Sequence, residues 1–155
     1  MAKGILLCIS ITFLWATPLS AMMTAASFYL GGGVDYTAVN ERTDRGVFAS
    51  TGILTRAGYV NVDFGKKLDS DALRGEIEAA KLFPLGDFTR ALMIVPSLHA
   101  GASFSRFSGV YGGFGLNLYP LVWISYSVYY YPAGNGYLER NLAENTIRAR
   151  AVWPL

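Results

Sequence analysis

The sequence predicts an all-β protein: an antiparallel, up-and-down transmembrane β-barrel of about eight strands behind a cleaved N-terminal signal peptide. Three observations predict it. The 155-residue chain is strongly apolar, with only 15% charged residues, yet beyond its start it holds no uncharged apolar run of the ~18 residues that a spanning helix needs. Its apolar residues alternate with polar ones, segment after segment. The polar positions of that alternation carry mainly Gly, Ser, Asn and Tyr, whereas a water-facing sheet carries Lys, Glu, Arg and Thr. Small residues make room in a narrow lumen, and a few charges of both signs pair there. A soluble β-sandwich or lipocalin-like barrel also alternates, and the chemistry of the polar parity decides against it.

The elements run as follows. Lys3 is a positive n-region, Ile5 to Trp15 an apolar stretch too short to anchor, and small residues follow Pro18. Residues 1–21 therefore read as the signal peptide, with cleavage as late as 26, and 27–155 as the barrel. Cys8 lies within this leader, leaving a mature chain without cysteine and thus without disulfides or Cys-based zinc sites.

In the first strand Phe28, Leu30, Val34, Tyr36 and Ala38 oppose Ser27, Gly31, Gly33, Asp35 and Thr37. Residues 46–55 alternate least well, since Val47, Ala49 and Ile53 face one way but Phe48 and Leu54 the other. Val60, Val62 and Phe64 then oppose Asn61, Asp63 and Lys67, and Leu73, Ile77 and Ala79 oppose Arg74, Glu76 and Glu78. Leu92, Ile94, Leu98, Ala100 and Phe104 oppose Ser97, His99, Ser103 and Ser105, with Pro96 mid-strand predicting a bulge. Val110, Phe114, Leu116 and Leu118 oppose glycines and Asn117; Val122, Ile124, Tyr126 and Val128 oppose Ser125 and Ser127. The last strand sets Ile147, Ala149, Ala151, Trp153 and Leu155 against Arg148 and Arg150.

Connections near 56–58 and 119–121 read as tight turns, and those around 39–45, 68–71 and 132–144 as longer, charged loops. Short periplasmic turns and longer external loops are the asymmetry of an outer-membrane barrel, although the short connection at 106–108 and the long one at 83–89 depart from it. In the longest loop, Gly134, Asn135 and Gly136 permit turning, while Tyr137 and Leu138 are expected to be exposed, apolar groups open to a surface partner.

Of the 13 basic and 11 acidic residues, only Asp35, Asp63, Arg74, Glu76, Glu78, Arg148 and Arg150 fall well inside strands. With His99 they are expected to form a polar network that fills the lumen. Trp123, Tyr126, Tyr129, Tyr130, Tyr131 and Trp153 are expected at the membrane interfaces, where amphipathic rings settle at headgroup depth. A net charge of +2 with scattered basic residues gives no reason to expect nucleic acid. His99 is the only histidine, so no multi-histidine metal site exists, and no cofactor is expected. With Ser97 or Ser103 and Glu76 or Glu78 it could form a hydrolase group, and Glu76 with Glu78 an acid–base pair. Lumen pairing explains both more simply. The glycines at 31–33 and 112–113 lack the helix and lysine of a phosphate loop and read as close strand packing.

The segments "SFYLGGGVDYT", "GYVNVDFGKKL" and "GVYGGFGLNLYPLVWISYSVYYYPAG", followed by "YLERNLAENTIRARA", resemble the YfaZ family of predicted outer-membrane proteins. The resemblance covers most of the mature chain. It implies an outer-membrane location, no established activity, and further strands beyond Leu155, which would make this chain a short member or a fragment. Its end carries the alternation that barrel-assembly machinery recognises, but Leu155 replaces the terminal aromatic and Pro154 removes a ladder donor at the seam.

The expected function is that of a small outer-membrane barrel with a structural or surface-interaction role. Its expected partners are outer-membrane lipid, lipopolysaccharide and the assembly machinery. A narrow, porin-like channel for small solutes and a lipid A-modifying enzyme are the alternatives.

Overall fold

The computed structural model describes residues 26–155, apart from 41, 56, 84–92, 106, 120–121 and 135–137. The leader read over 1–21 lies outside these residues. Eight strands follow one another: β1 (Ser27–Val39), β2 (Arg42–Leu54), β3 (Gly58–Lys67), β4 (Leu73–Leu82), β5 (Met93–Phe104), β6 (Ser108–Tyr119), β7 (Val122–Tyr131) and β8 (Leu142–Pro154). Each pairs antiparallel with its sequence neighbours, and β8 pairs with β1 to close the barrel.

The register fixes the shape. Ser27 pairs with Leu54, Leu54 with Tyr59, Tyr59 with Ala80 and Ala80 with His99. His99 pairs with Gly113, Gly113 with Ser127, Ser127 with Thr146 and Thr146 with Thr37, so one circuit returns ten residues further along β1. Eight strands with that stagger tilt by about 40° and enclose a backbone cylinder of about 8 Å radius. Such a cylinder has room for its own side chains and little else.

Period-two alternation sorts the side chains. Phe28, Leu30, Val34 and Tyr36 of β1 are exposed on the outside, while Tyr29, Asp35 and Thr37 are buried within. In β2, where the pattern is weakest, Phe48 and Leu54 face inward and Val47 and Ile53 outward, so a strand of mixed polarity still follows the pleat.

Three expectations are corrected. The loop placed at 39–45 is absent: β1 and β2 continue through it as a ladder, Thr37 facing Asp44 and Ala38 facing Thr43. The chain reverses between Val39 and Arg42, with Asn40 at φ 42°, a left-handed conformation that Asn tolerates. Charges that read as loop are strand residues extended past the apolar belt. Loop length therefore does not distinguish the two ends. The bulge expected at Pro96 is also missing, since β5 and β6 stay in unbroken register from Met93 to Phe104. Pro96 lies one residue beyond the last β4 pairing, Leu82 with Ser97, and its carbonyl accepts from Phe83 N, so the lost donor falls at the ladder's end. Pro154 likewise pairs with Tyr29, and Leu155 N donates to Phe28 O at 2.8 Å, so the seam closes around it.

Gly33 is required by that seam. A Cβ there would stand 1.9 Å from the carbonyl oxygen of Ala149 on β8, backbone that a side-chain shift cannot relieve. Gly33→Ala is expected to destabilise the barrel by about 1–3 kcal/mol, the usual range for overpacking, read as a lower urea midpoint of the refolded protein.

Candidate functional site: the barrel interior

The interior is layered. At the end where β1 begins and β8 finishes, Tyr29, Leu54, Tyr59, Leu82, Val95, Trp123 and Val152 form one apolar cluster. Trp123 stacks on Tyr59 with ring centroids 4.5 Å apart and meets Tyr29 edge-on at 5.2 Å. Near the opposite end Tyr111, Tyr129 and Tyr131 form a second cluster, with Phe107, Leu138 and Leu142 packed against it. Glycines make space for these rings: a Cβ on Gly101 would meet the Tyr111 ring at 2.6 Å, and one on Gly109 the Tyr131 ring at 2.4 Å.

Between the clusters lie the charges. Among the described residues the buried carboxylates are Asp35, Asp63, Glu76 and Glu78, and the buried cations Lys67, Arg74, Arg148 and Arg150. Arg148 donates from Nη1 to Asp63 at 3.0 Å, and from Nη2 to Glu76 at 2.6 Å and to Tyr129 Oη at 2.9 Å. Arg150 donates to Asp63 at 2.5 Å and to Glu78 at 3.5 Å, and Tyr59 Oη donates to Glu78 at 3.0 Å. Asp63 also accepts from Ser50 at 2.5 Å and Asn61 at 3.0 Å. Asp63 is thus the hub, held by residues of β2, β3 and β8. Arg74 meets Glu76 two residues along its own strand and lies over the Tyr129 ring at 4.0 Å. Lys67 bonds Asp35 and Thr37, and Thr37 bonds Thr146 at 3.0 Å, tying β3, β1 and β8 together. The guanidinium of Arg148 lies 4.7 Å from the centroid of Phe48, whose inward placement gives the cation an aromatic face.

All eight residues singled out for the lumen are buried inside the barrel. Seven of them enter these ion pairs; His99 stands apart, its Nε2 bonded to Ser127 Oγ at 2.8 Å. Of the serines considered as its partners, Ser97 has a hydroxyl without a hydrogen bond and Ser103 lies against Tyr131, while Glu76 and Glu78 are taken up by arginines and Tyr59. Lys67, which the sequence places on the polar parity of Asn61 and Asp63 but outside the expected network, joins it through Asp35.

The aromatic set divides differently. Trp123, Tyr129 and Tyr131 are buried in the lumen, at 3%, 0% and 3% exposure, and are not interfacial. Their parity is that of Ser125 and Ser127, so the same alternation that places the serines inside places these rings there. Tyr126 faces outward but midway along β7, its hydroxyl donating to Asn145 Oδ1 at 2.7 Å. Only Tyr130, 45% exposed near one end of the barrel, and Trp153, 60% exposed near the other, stand on the outer face at strand ends. Leu138, expected to be exposed, is partly buried against the tyrosine cluster; Tyr137 lies outside the described residues.

The outer face inverts the interior. Leu30, Val34, Ile77, Ile94, Phe114 and Ile124 are all more than half exposed, part of an apolar belt running around the strands. Charges gather beyond one rim of it: Arg45 pairs with Asp69 at 2.8 Å and Lys66 with Asp71 at 2.5 Å. Arg45 also gives its backbone N–H to Asp69, and Asp69 N and Ser70 Oγ bond Asp44, so the 68–72 loop is clasped to β2.

The Arg45 side chain, with its backbone N–H, holds the exposed Asp69 carboxyl down from 3.8 to about 2. A depressed folded value means the clasp contributes above the ordinary carboxylate range and is lost as pH falls from near 3.8 through about 2. An NMR titration of Asp69 is expected to show that low midpoint, and Arg45→Gln to raise it.

This barrel is similar to the solved structure of Neisserial surface protein A, with a TM-score of 0.54 at 13% identity, covering 84% of this chain and 99% of that one. The two share a fold. A solved structure of Ail, the attachment invasion locus protein of Yersinia pestis, in complex with the heparin analogue sucrose octasulfate, also aligns. It does so at 13% identity with a TM-score of 0.38, over 83% of this chain and 97% of that one. No family model and no curated protein sequence matches the chain.

Proposed function

We propose that this chain is a small outer-membrane barrel with a structural or surface-interaction role. The observation that carries the reading is the inversion of polarity: exposed apolar side chains outside, buried ion pairs inside. In water the belt would be an aggregation liability; in a bilayer it packs against acyl chains, while the closed ladder leaves no backbone edge unpaired. Its height fits. Ten residues tilted by about 40° rise about 25 Å, the height of the apolar band on outer-membrane barrels. The likeness to Neisserial surface protein A supports the fold, and the YfaZ resemblance of the strand segments supports the location. Lipopolysaccharide on the belt and recognition of β8 by assembly machinery complete the reading. Recovery in the outer-membrane fraction with heat-modifiable gel mobility is the expected result. Recovery as a soluble periplasmic protein would overturn it.

The filled lumen argues against a channel. Planar-bilayer recordings are expected to show no steady single-channel conductance, because a tyrosine cluster and an aromatic–aliphatic cluster stand at opposite ends of the ionic layer. A lipid A-modifying role would rest on His99, which is 5% exposed and faces the lumen, away from lipid. The mass of lipid A is expected to stay unchanged on expression.

A further inference from the structure

Beside the tyrosine cluster, on the β1–β4 side of the lumen, a recess remains. It has about 230 Å³ of empty space, counting the part open to solvent, and its tight part holds about one water-sized body. Arg74 lines it. The guanidinium is fully committed on two sides, Nε against Glu76 and one face against Tyr129, but Nη1 and Nη2 have no acceptor although the side chain is only 7% exposed. A buried charged donor without an acceptor is costly, and the cost falls if something enters to accept.

The walls do not provide that acceptor. Their three carboxylates are already engaged: Asp35 by Lys67, Asp63 by both Arg148 and Arg150, and Glu76 by Arg148 and Arg74. Lys66 pairs with Asp71 on the outer rim, so the inward cations Lys67, Arg74 and Arg148 balance these three carboxylates, and the unmet demand is for acceptors at the two Arg74 nitrogens. Water could accept from Arg74, but would bring two hydrogens of its own. An anion only accepts. Lys67 ends β3 and Arg74 nearly begins β4, so the recess lies beside the 68–72 loop, at the end of the barrel opposite the start of β1.

We propose that this recess binds one small inorganic anion, of halide size, held by Nη1 and Nη2 of Arg74 and reached from the loop end of the barrel. The site is independent of the outer-membrane reading, since a soluble barrel with this interior would hold the same ion.

Chloride-35 NMR of the refolded protein in micelles is the test, at constant ionic strength with gluconate as the balancing anion. Wild type is expected to give excess line broadening that saturates with chloride. Arg74→Met, checked for retained heat-modifiable mobility, is expected to weaken apparent affinity at least tenfold. Sulfate added as competitor distinguishes a halide-sized site, where broadening persists, from one that admits oxyanions, where it is displaced; displacement overturns the size assignment. No saturable broadening in wild type, or equal broadening in folded Arg74→Met, would overturn the site. Should Arg74→Met fail to fold, crystals of wild type soaked in bromide decide: an anomalous peak at the Nη atoms supports the site, and a water-sized peak without anomalous signal overturns it.

Discussion

Asp63→Ala is expected to cost roughly 3–5 kcal/mol of folding stability, the range for removing one partner of a buried ion pair. The reason is what it leaves behind. Arg148 and Arg150 both close on one Asp63 oxygen, at 3.0 and 2.5 Å, while Ser50 and Asn61 donate to the other. Without the carboxylate, Arg148 keeps Glu76 and Tyr129, but Arg150 keeps just one carboxylate contact, Glu78 at 3.5 Å, besides the rings of Phe48, Tyr59 and Trp123. The penalty is therefore an uncompensated buried guanidinium more than a lost attraction. It follows that Arg150→Met in the Asp63→Ala background should recover part of the loss, although Arg150→Met alone destabilises. Such coupling is the signature of groups in one network. Urea unfolding in lipid vesicles, followed by tryptophan fluorescence, measures all three variants. Additive losses would mean that the two residues act separately.

Lys67 apart, the residues of this network were legible in the sequence, and their partnerships were not. Period two states which side chains share a face, so Asp35, Asp63, Arg74, Glu76, Glu78, His99, Arg148 and Arg150 could be placed together from one strand at a time. Pairing between strands depends on register. Arg148 reaches Asp63 and Glu76 because one circuit of the barrel advances by ten residues, a quantity that no single segment encodes. The inward aromatics show a related gap. Trp123, Tyr129 and Tyr131 have the parity of serines, yet a lumen described as small and polar gave no place to large rings. That place is made on another strand, by Gly101 and Gly109, whose missing side chains are the spaces that Tyr111 and Tyr131 fill. The extent of β1 and β2 was hidden for a third reason: a charge run beyond the apolar belt has the composition of a loop whether or not the ladder continues through it.

Two arginine substitutions on one strand separate a membrane-spanning barrel from a soluble one by depth. Ile77 and Leu73 both face outward from β4, 51% and 73% exposed. Ile77 stands midway along the strand and Leu73 begins it, beside the charged rim formed by Lys66 and Asp71. In a bilayer Ile77→Arg is expected to cost about 2–4 kcal/mol and Leu73→Arg about 0–1 kcal/mol, because the price of a cation falls from the midplane to the interface. In water neither position is special, and both changes would fall within about 0.5 kcal/mol of wild type. Neither side chain enters the interior, so the lumen network is left unchanged and the difference reports the surroundings of the outer face alone. Reversible urea unfolding from vesicles gives both values, and equal, small effects would remove the belt's claim to a lipid environment whatever the fold resembles.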